Sequence, residues 1–320
     1  MIPSGQLPGQ ADRQAHHAGQ VDQQGQFSDQ AQPTPATAQP SAASWRPVDL
    51  GSGIVAGFTT RLGGVSQPPW DSLNLGDQVG DSPEHVAANR RMLEQALAFP
   101  IAWSQQVHAT TVLRLDQPQG FQAAGAVNPP YGVGDALLTS LPQQGLGVLV
   151  ADCVPVLLAD AHSRVVATAH AGRRGMEQGV IAEVVTAMCV AGARPGRIRA
   201  AVGPAICGLC YEVPATMRQA AAQIVPQAWA VTRQGTPAID IPAAVIAQLQ
   251  GLGLDQVTHV AACTAENPDF FSYRRATASA TTGPQAAVTG RQAGIIALSG
   301  VSQSRPHQLG HTVSVSKSQQ

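Results

Sequence analysis

Residues 148–175 read VLVADCVPVLLADAHSRVVATAHAGRRG. Most of this stretch is apolar strand sequence rich in Val, Leu and Ala. The spacer at 160–163, Asp-Ala-His-Ser, is too short for the long crossover that a parallel pair requires, so the two apolar runs must form an antiparallel hairpin. A two-residue turn centred between Ala161 and His162 sets Cys153 directly opposite His170 on one side of the sheet, with Cβ atoms roughly 5 Å apart. Pro155 opposes this register, because it cannot donate a ladder hydrogen bond and so suggests a bulge or an edge.

Strands and helices mix along the rest of the chain. GIVAGFTTR (53–61), IAWSQQVHATTVLRL (101–115), GLGVLVADCVPVLLA (145–159), RVVATAHA (164–171), RIRAAVGPAI (197–206) and VTHVAACT (257–264) are expected as strands, with 101–115 either a strand pair or one long strand. Helices are expected over 82–99, 175–192, 213–225 and 241–253. The second and fourth close on glycine. The expected fold class is α/β in the mixed α+β sense, a layered sandwich in which a mixed sheet is covered by helices.

Composition narrows the function classes. The 320 residues are 44% hydrophobic and only 12% charged, with a net charge of -1. No broad basic field exists, so nucleic acid is not an expected partner. No apolar run is long enough to span a bilayer, so no membrane partner is expected either. The start lacks a basic segment followed by an apolar one, which argues against a signal peptide and for a cytoplasmic protein, here expected as a monomer. The five cysteines fit reduced thiols better than a disulfide framework. Residues 1–45 hold ten Gln and little to bury, and 301–320 are equally polar. Both are expected as disordered tails flanking one folded domain over 46–300.

A lone Cys or His in an apolar strand is most often core. Two at matched positions beside a glycine corner point instead to shared chemistry, either one metal or a nucleophile with its base. His108, in WSQQVH, is a third candidate. One Cys and two His without a fourth protein ligand form the pattern of a catalytic zinc site with an open position, where the ion would polarise an oxygen or activate water.

Several ordered motifs carry a family resemblance. They are GFTTRLGGVSQPPWDSLNLGDQVGD (57–81), WSQQVH (103–108), GDALLT (134–139), VLVADCVPVLLAD (148–160), ATAHAGRRG (167–175), AVGPAICGLCYEV (201–213), FFSYRR (270–275) and TGR (289–291). The chain resembles the bacterial laccase-domain or polyphenol oxidase family, purine nucleoside phosphorylases related to the human laccase-domain protein. The resemblance covers nearly all of residues 50–300. It implies a sandwich related to a toxin deamidase-like fold, and zinc held by His108, Cys153 and His170. It implies phosphorolysis of adenosine, inosine and methylthioadenosine to base and ribose 1-phosphate, together with adenosine deamination. Two departures stand out. Family members carry HAGWRG where this chain has Arg173, and the FSYRR-to-TGR spacer is lengthened by ATASATTGPQAAV (276–288), expected as a surface insertion.

Phosphorolysis requires an anion site, for which Arg supplies a planar fork. Arg61 ranks first, because Gly63 and Gly64 let the backbone approach a ligand. Arg173, Arg174, Arg274 and Arg275 are further candidates, with Arg275 the other arginine expected to bind substrate. Asn74 holds either a loop or a ribose hydroxyl. Asp152 serves a backbone turn or supports a histidine. Cys207-Gly-Leu-Cys210 lacks a second CxxC to complete a zinc knot, and spacing alone does not place Cys263. Two alternative functions use the same centre. In a copper-dependent polyphenol oxidase, copper would replace zinc, although a full laccase site consumes many His in His-x-His pairs and this chain has nine His and no such pair. In a metal-free cysteine amidohydrolase, a histidine would activate Cys153.

Overall fold

The structure is a computed structural model that describes residues 44–279 and 288–300. Of the tails expected over 1–45 and 301–320, all but Ser44 and Trp45 lie outside the described residues, as does the centre of the 276–288 insertion. Ser44 is buried and Trp45 opens the first strand, so the folded domain begins earlier than expected.

Two sheets pack face to face. The first is five-stranded, in the order β1 (Trp45–Pro47), β2 (Ile54–Thr59), β13 (Gln292–Leu298), β6 (Gly145–Val150), β3 (Ile101–Ala102). The second is six-stranded, in the order β12 (Gln256–His259), β9 (Arg199–Val202), β7 (Val154–Asp160), β8 (Val165–Ala171), β5 (Ala136–Thr139), β4 (Val112–Leu115). Each mixes parallel and antiparallel pairs. The mixed α/β sandwich expected from the sequence is present, with two sheets rather than one at its centre. Phe58, Leu146, Val148 and Ile296 of the first sheet meet Leu137, Leu157, Val166 and Ala201 of the second. The outer face of the second sheet packs on α3 (Val180–Val190) and α5 (Ile241–Gly251) through Ile181, Val184, Met188, Val245 and Leu249. The outer face of the first packs on Leu93 of α1 (Pro83–Leu97) and on Trp103. The remaining elements are α2 (Arg173–Gln178), α4 (Ala215–Ile224), α6 (Tyr273–Ser279) and the hairpin β10 (Trp229–Val231) with β11 (Pro237–Ile239).

The single strand expected over 145–159 proves to be a pair, and of the two alternatives for 101–115 the pair is present; in both cases the members enter different sheets. The run 145–159 divides into β6 and β7 at Ala151-Asp152-Cys153, and 101–115 divides into β3 and β4. Both β6 and β7 are almost wholly buried, so both are apolar throughout and no polar residue marks the end of either. The backbone at Asp152 turns the chain with φ 90. That left-handed conformation is uncommon for a non-glycine residue. Its carboxylate accepts from Thr264 Oγ1 (2.7 Å) and the Arg274 amide (2.7 Å), and its carbonyl accepts from the Ile206 amide (3.0 Å). The side chain thus serves the backbone turn.

The β7–β8 register also differs from the expected one. Pro155 faces His170 and Asp160 faces Val165, so the loop spans four residues and the pairing moves by two. The cause is Asp160, whose Oδ1 accepts the amides of His162 (3.0 Å) and Ser163 (3.0 Å) while Arg197 pairs with Oδ2 (3.0 Å). This Asx-type turn holds Asp160 in the strand rather than in the loop. A shift of two residues preserves the face, so Cys153 and His170 still converge. Pro155 causes no bulge. The His170 amide goes to the Asp135 carbonyl (2.7 Å) on the other side, so no β8 partner requires a Pro155 N–H.

The helix expected over 175–192 breaks at Gly179 (φ 93) into α2 and α3, and Gly192 (φ 98) follows the second as a left-handed cap. On α1, Ser82 caps the N-terminus, and Asn89, Arg90 and Glu94 are buried alongside Val86 and Leu93.

Gly203, just after β9, lies against the opposite sheet, where an added Cβ would overlap the Phe58 ring. Gly203→Ala should destabilise the fold by about 2 kcal/mol, and Phe58→Leu in that background should restore part of the loss. Urea unfolding of the single and double variants checks this. Equal stability of Gly203→Ala and the parent would contradict the packing.

Candidate metal centre and its cavity

Three chain segments bring His108, Cys153 and His170 together. His170 lies on β8. Cys153 lies in the crossover between the sheets, one residue before β7. His108 is on the loop between β3 and β4, with φ 60. The potential ligand atoms of all three lie within 4.8 Å of one another. Cys153 Sγ is 3.8 Å from His108 Nε2, and the two imidazoles meet edge to face with centroids 4.7 Å apart. A tetrahedral zinc ion with ordinary Zn–S and Zn–N bonds holds its ligand atoms about 3.5 Å apart, so the spacing fits a shared ion. Gly172 permits this crowding, since a Cβ there would lie 2.8 Å from His108 Cδ2 and 3.0 Å from Cys153 Sγ.

Asp135, at the edge of β5, fixes two of the three donors. Its carboxylate is sealed from solvent. It accepts the amides of Val107 (3.1 Å), His108 (2.9 Å) and Ala109 (2.8 Å), and the His170 Nδ1–H (2.8 Å). The first three bonds hold the His108 loop in its left-handed turn. The fourth fixes the His170 tautomer and leaves Nε2 as the free ligand atom. Burial pushes the Asp135 carboxyl up, but these bonds and the His170 charge outweigh it and hold it below the usual range.

The thiol and the imidazole bias each other in the same way. Burial raises the Cys153 pKa, while the charge of His170 and hydrogen bonds from both histidines bring it down to about 6. Burial lowers the His170 pKa, while Cys153 and Asp135 raise it to about 9. Without metal the pair is therefore a thiolate facing an imidazolium, and with metal the thiolate is already the ligand form.

The centre opens into a cavity of about 920 Å³. Its wall includes Arg173, Arg174, Arg274, Arg291, Tyr211 and Tyr273. Arg174 is exposed and has no ion-pair or hydrogen-bond partner among the described residues. Arg291 Nη1 donates to the carbonyls of Thr289 (3.0 Å) and Gly290 (3.0 Å). Burial lowers the Arg291 pKa, while the negative Cys153 and Asp152 act to raise it. Arg173 bonds Glu177 at 2.6 Å.

The three residues expected to bind substrate lie outside the lining of this cavity. Arg61 bonds the Asp71 carboxylate (2.9 Å) and carbonyl (2.6 Å) and covers the Phe271 ring. Asn74 is buried and holds its loop, accepting the amides of Gly76 (3.0 Å) and Arg291 (2.8 Å). Arg275 donates to the carbonyls of Thr264 (2.6 Å), Asn267 (3.2 Å) and Phe270. Asp135 and Arg291 stand inside the GDALLT and TGR motifs, yet neither is a site candidate from sequence alone.

A family described as multi-copper polyphenol oxidoreductase laccase matches residues 55–299. The chain belongs to that family. It is 46% identical over 230 residues to a purine nucleoside phosphorylase of Streptomyces coelicolor, covering 71% of this chain and 92% of that one. A purine nucleoside phosphorylase of Mycobacterium tuberculosis is 42% identical over 220 residues, covering 68% and 85%. The crystal structure of YlmD from Geobacillus stearothermophilus superposes with a TM-score of 0.70 at 32% identity, covering 83% of this chain and all of that one. No helix among the described residues is long and apolar enough to cross a membrane.

Asp135→Asn keeps one acceptor oxygen but sets an NH2 group against two of the four N–H donors, and should lower stability by about 3–4 kcal/mol. It should also weaken zinc binding by about 10- to 100-fold, the usual effect of losing a ligand's supporting partner. Metal titration of the refolded variant checks this. Parent-like affinity would show that the carboxylate does not orient the donors.

Proposed function

We propose that this chain is a zinc-dependent purine nucleoside phosphorylase. It would cleave adenosine, inosine and methylthioadenosine with phosphate to the free base and the ribose 1-phosphate. It would also deaminate adenosine, water entering at purine C6 and ammonia leaving. The observation that carries the reading is the meeting of His108, Cys153 and His170 at one wall of a cavity that also presents unpartnered Arg174. The names of the relatives agree with the phosphorylase part of this reading.

A cavity of about 920 Å³ accommodates a nucleoside together with phosphate. Arg174 and Arg291 hold the phosphate in this reading. Arg61 is bound to Asp71, and Asn74 and Arg275 support the loops behind the wall. Tyr211 and Tyr273 offer aromatic faces to the purine. A phosphate oxygen forms the bond to ribose C1′ as the C1′–N9 bond breaks, and its electron pair leaves with the base. Zinc on His108, Cys153 and His170 would supply Lewis-acid polarisation. Asp135 keeps the His170 proton on Nδ1 throughout. Copper is the alternative ion for the same ligands.

One observation favours a second reading. Cys153, held near pKa 6 beside two imidazoles, suits a metal-free cysteine amidohydrolase. Chelation separates the two, since it should abolish the first activity and spare the second.

Chromatography of adenosine incubated with protein and zinc, with and without phosphate, tests the proposal. Adenine should form only with phosphate, and inosine should form in either case. Cys153→Ala should lower kcat/KM by about 1000-fold, ~4 kcal/mol of transition-state stabilisation. Adenosine surviving both conditions would overturn the reading.

A further inference from the structure

Away from the Cys153 centre, Cys207, Cys210, Cys263 and Glu266 form a second cluster. One ligand atom from each lies within 4.8 Å of all the others. The CxxC pair and the third thiol come from different segments, which the sheet makes neighbours. β9 and β12 are adjacent parallel strands, and the chain leaves both at the same end. Ala205 then bridges Cys263, with the Ala205 amide on the Ala262 carbonyl (3.2 Å) and the Thr264 amide on the Ala205 carbonyl (3.1 Å). Between the two cysteines of the pair the backbone makes a tight turn, the amides of Cys210 and Tyr211 both donating to the Cys207 carbonyl (3.0 Å each). Glu266 is oriented by Arg233, whose Nε (3.0 Å) and Nη2 (2.7 Å) both bond Oε1.

We infer that Cys207, Cys210, Cys263 and Glu266 bind a structural zinc ion. Three sulfurs and one carboxylate complete a closed four-ligand set for a soft divalent ion, unlike the three-ligand centre at Cys153. A dithiol redox pair would use two sulfurs and leave no role for the third or for the oriented carboxylate. Like charges this close repel one another once the thiols ionise, and a divalent cation offsets that repulsion. The three thiols are half-buried, within reach of an entering ion.

The position gives the ion a task. Arg274 donates to the Cys210 (3.2 Å) and Glu212 (3.0 Å) carbonyls, and Tyr211 follows Cys210 directly. Thr264, next to Cys263, holds the Asp152 carboxylate. Zinc here would fasten together the two loops that position Arg274, Tyr211 and Asp152 in the wall of the first cavity. It is a positioning site, and its existence does not depend on the reaction at Cys153.

Cys153→Ala protein, which lacks the sulfur of the first centre, isolates the second. Titrated with cobalt(II) after metal removal under reducing conditions, it should bind one equivalent with intense sulfur-to-cobalt charge-transfer absorption. Cys263→Ser added to that background should abolish the band, whereas Cys189→Ser should leave it. Variant folding is bypassed by alkylating the unaltered reduced chain with and without zinc and mapping the products by mass. Zinc should protect Cys207, Cys210 and Cys263 together and leave Cys189 reactive. Overturning results would be a Cys153→Ala protein that binds cobalt without sulfur charge transfer or not at all, or zinc-loaded protein alkylated freely at Cys207, Cys210 and Cys263. A Cys207–Cys210 disulfide that persists under those reducing conditions would equally exclude the site.

Discussion

The Asp135 carboxylate accepts four N–H groups while sealed from solvent, three from the backbone of 107–109 and one from the His170 ring. A buried carboxylate is stable only when its lone pairs are satisfied this fully. The same bonds fix a strained loop and an imidazole tautomer, so one side chain sets the direction of two donors at once. The third donor is fixed by a second carboxylate used in the same manner. Asp152 holds Thr264 and Arg274, and its φ of 90 turns Cys153 into the site.

The sandwich explains why the donors gather there. The crossover at 151–153 carries the chain from one sheet to the other, and the 103–111 loop does the same between β3 and β4. Two of the three donors therefore stand on crossings between layers, where backbone leaves the ladder and side chains can turn inward. Loops on a rigid scaffold are the common location of functional groups, and here the scaffold is two sheets locked by Phe58, Leu146 and Leu157.

Much of this was legible in the sequence. Helical periodicity located α1, α4 and α5 closely, and the convergence of Cys153 and His170 on one face followed from a hairpin too short to be anything else. The register itself was not legible, because Asp160 reads as a turn residue, yet the amides it accepts hold it in the strand. The face survived since the shift was even. The strand boundary at 151–153 was hidden by burial on both faces, which makes β6 and β7 equally apolar. Asp135 and Arg291 were visible only as letters in motifs, because their roles rest on contacts with segments distant in sequence. The third thiol of the second cluster was hidden for the same reason: it joins CxxC through a parallel strand pair that no spacing rule reports.

An anomalous difference map at the zinc edge, from crystals of the intact protein soaked in phosphate, would locate the ion at the Cys153 centre. A peak is expected bonded to Cys153 Sγ and to His108 and His170 Nε2, with His170 Nδ1 still on Asp135 and phosphate against Arg174 and Arg291. No peak among those three side chains in zinc-replete crystals, or His170 turned so that Nε2 faces Asp135, would contradict it.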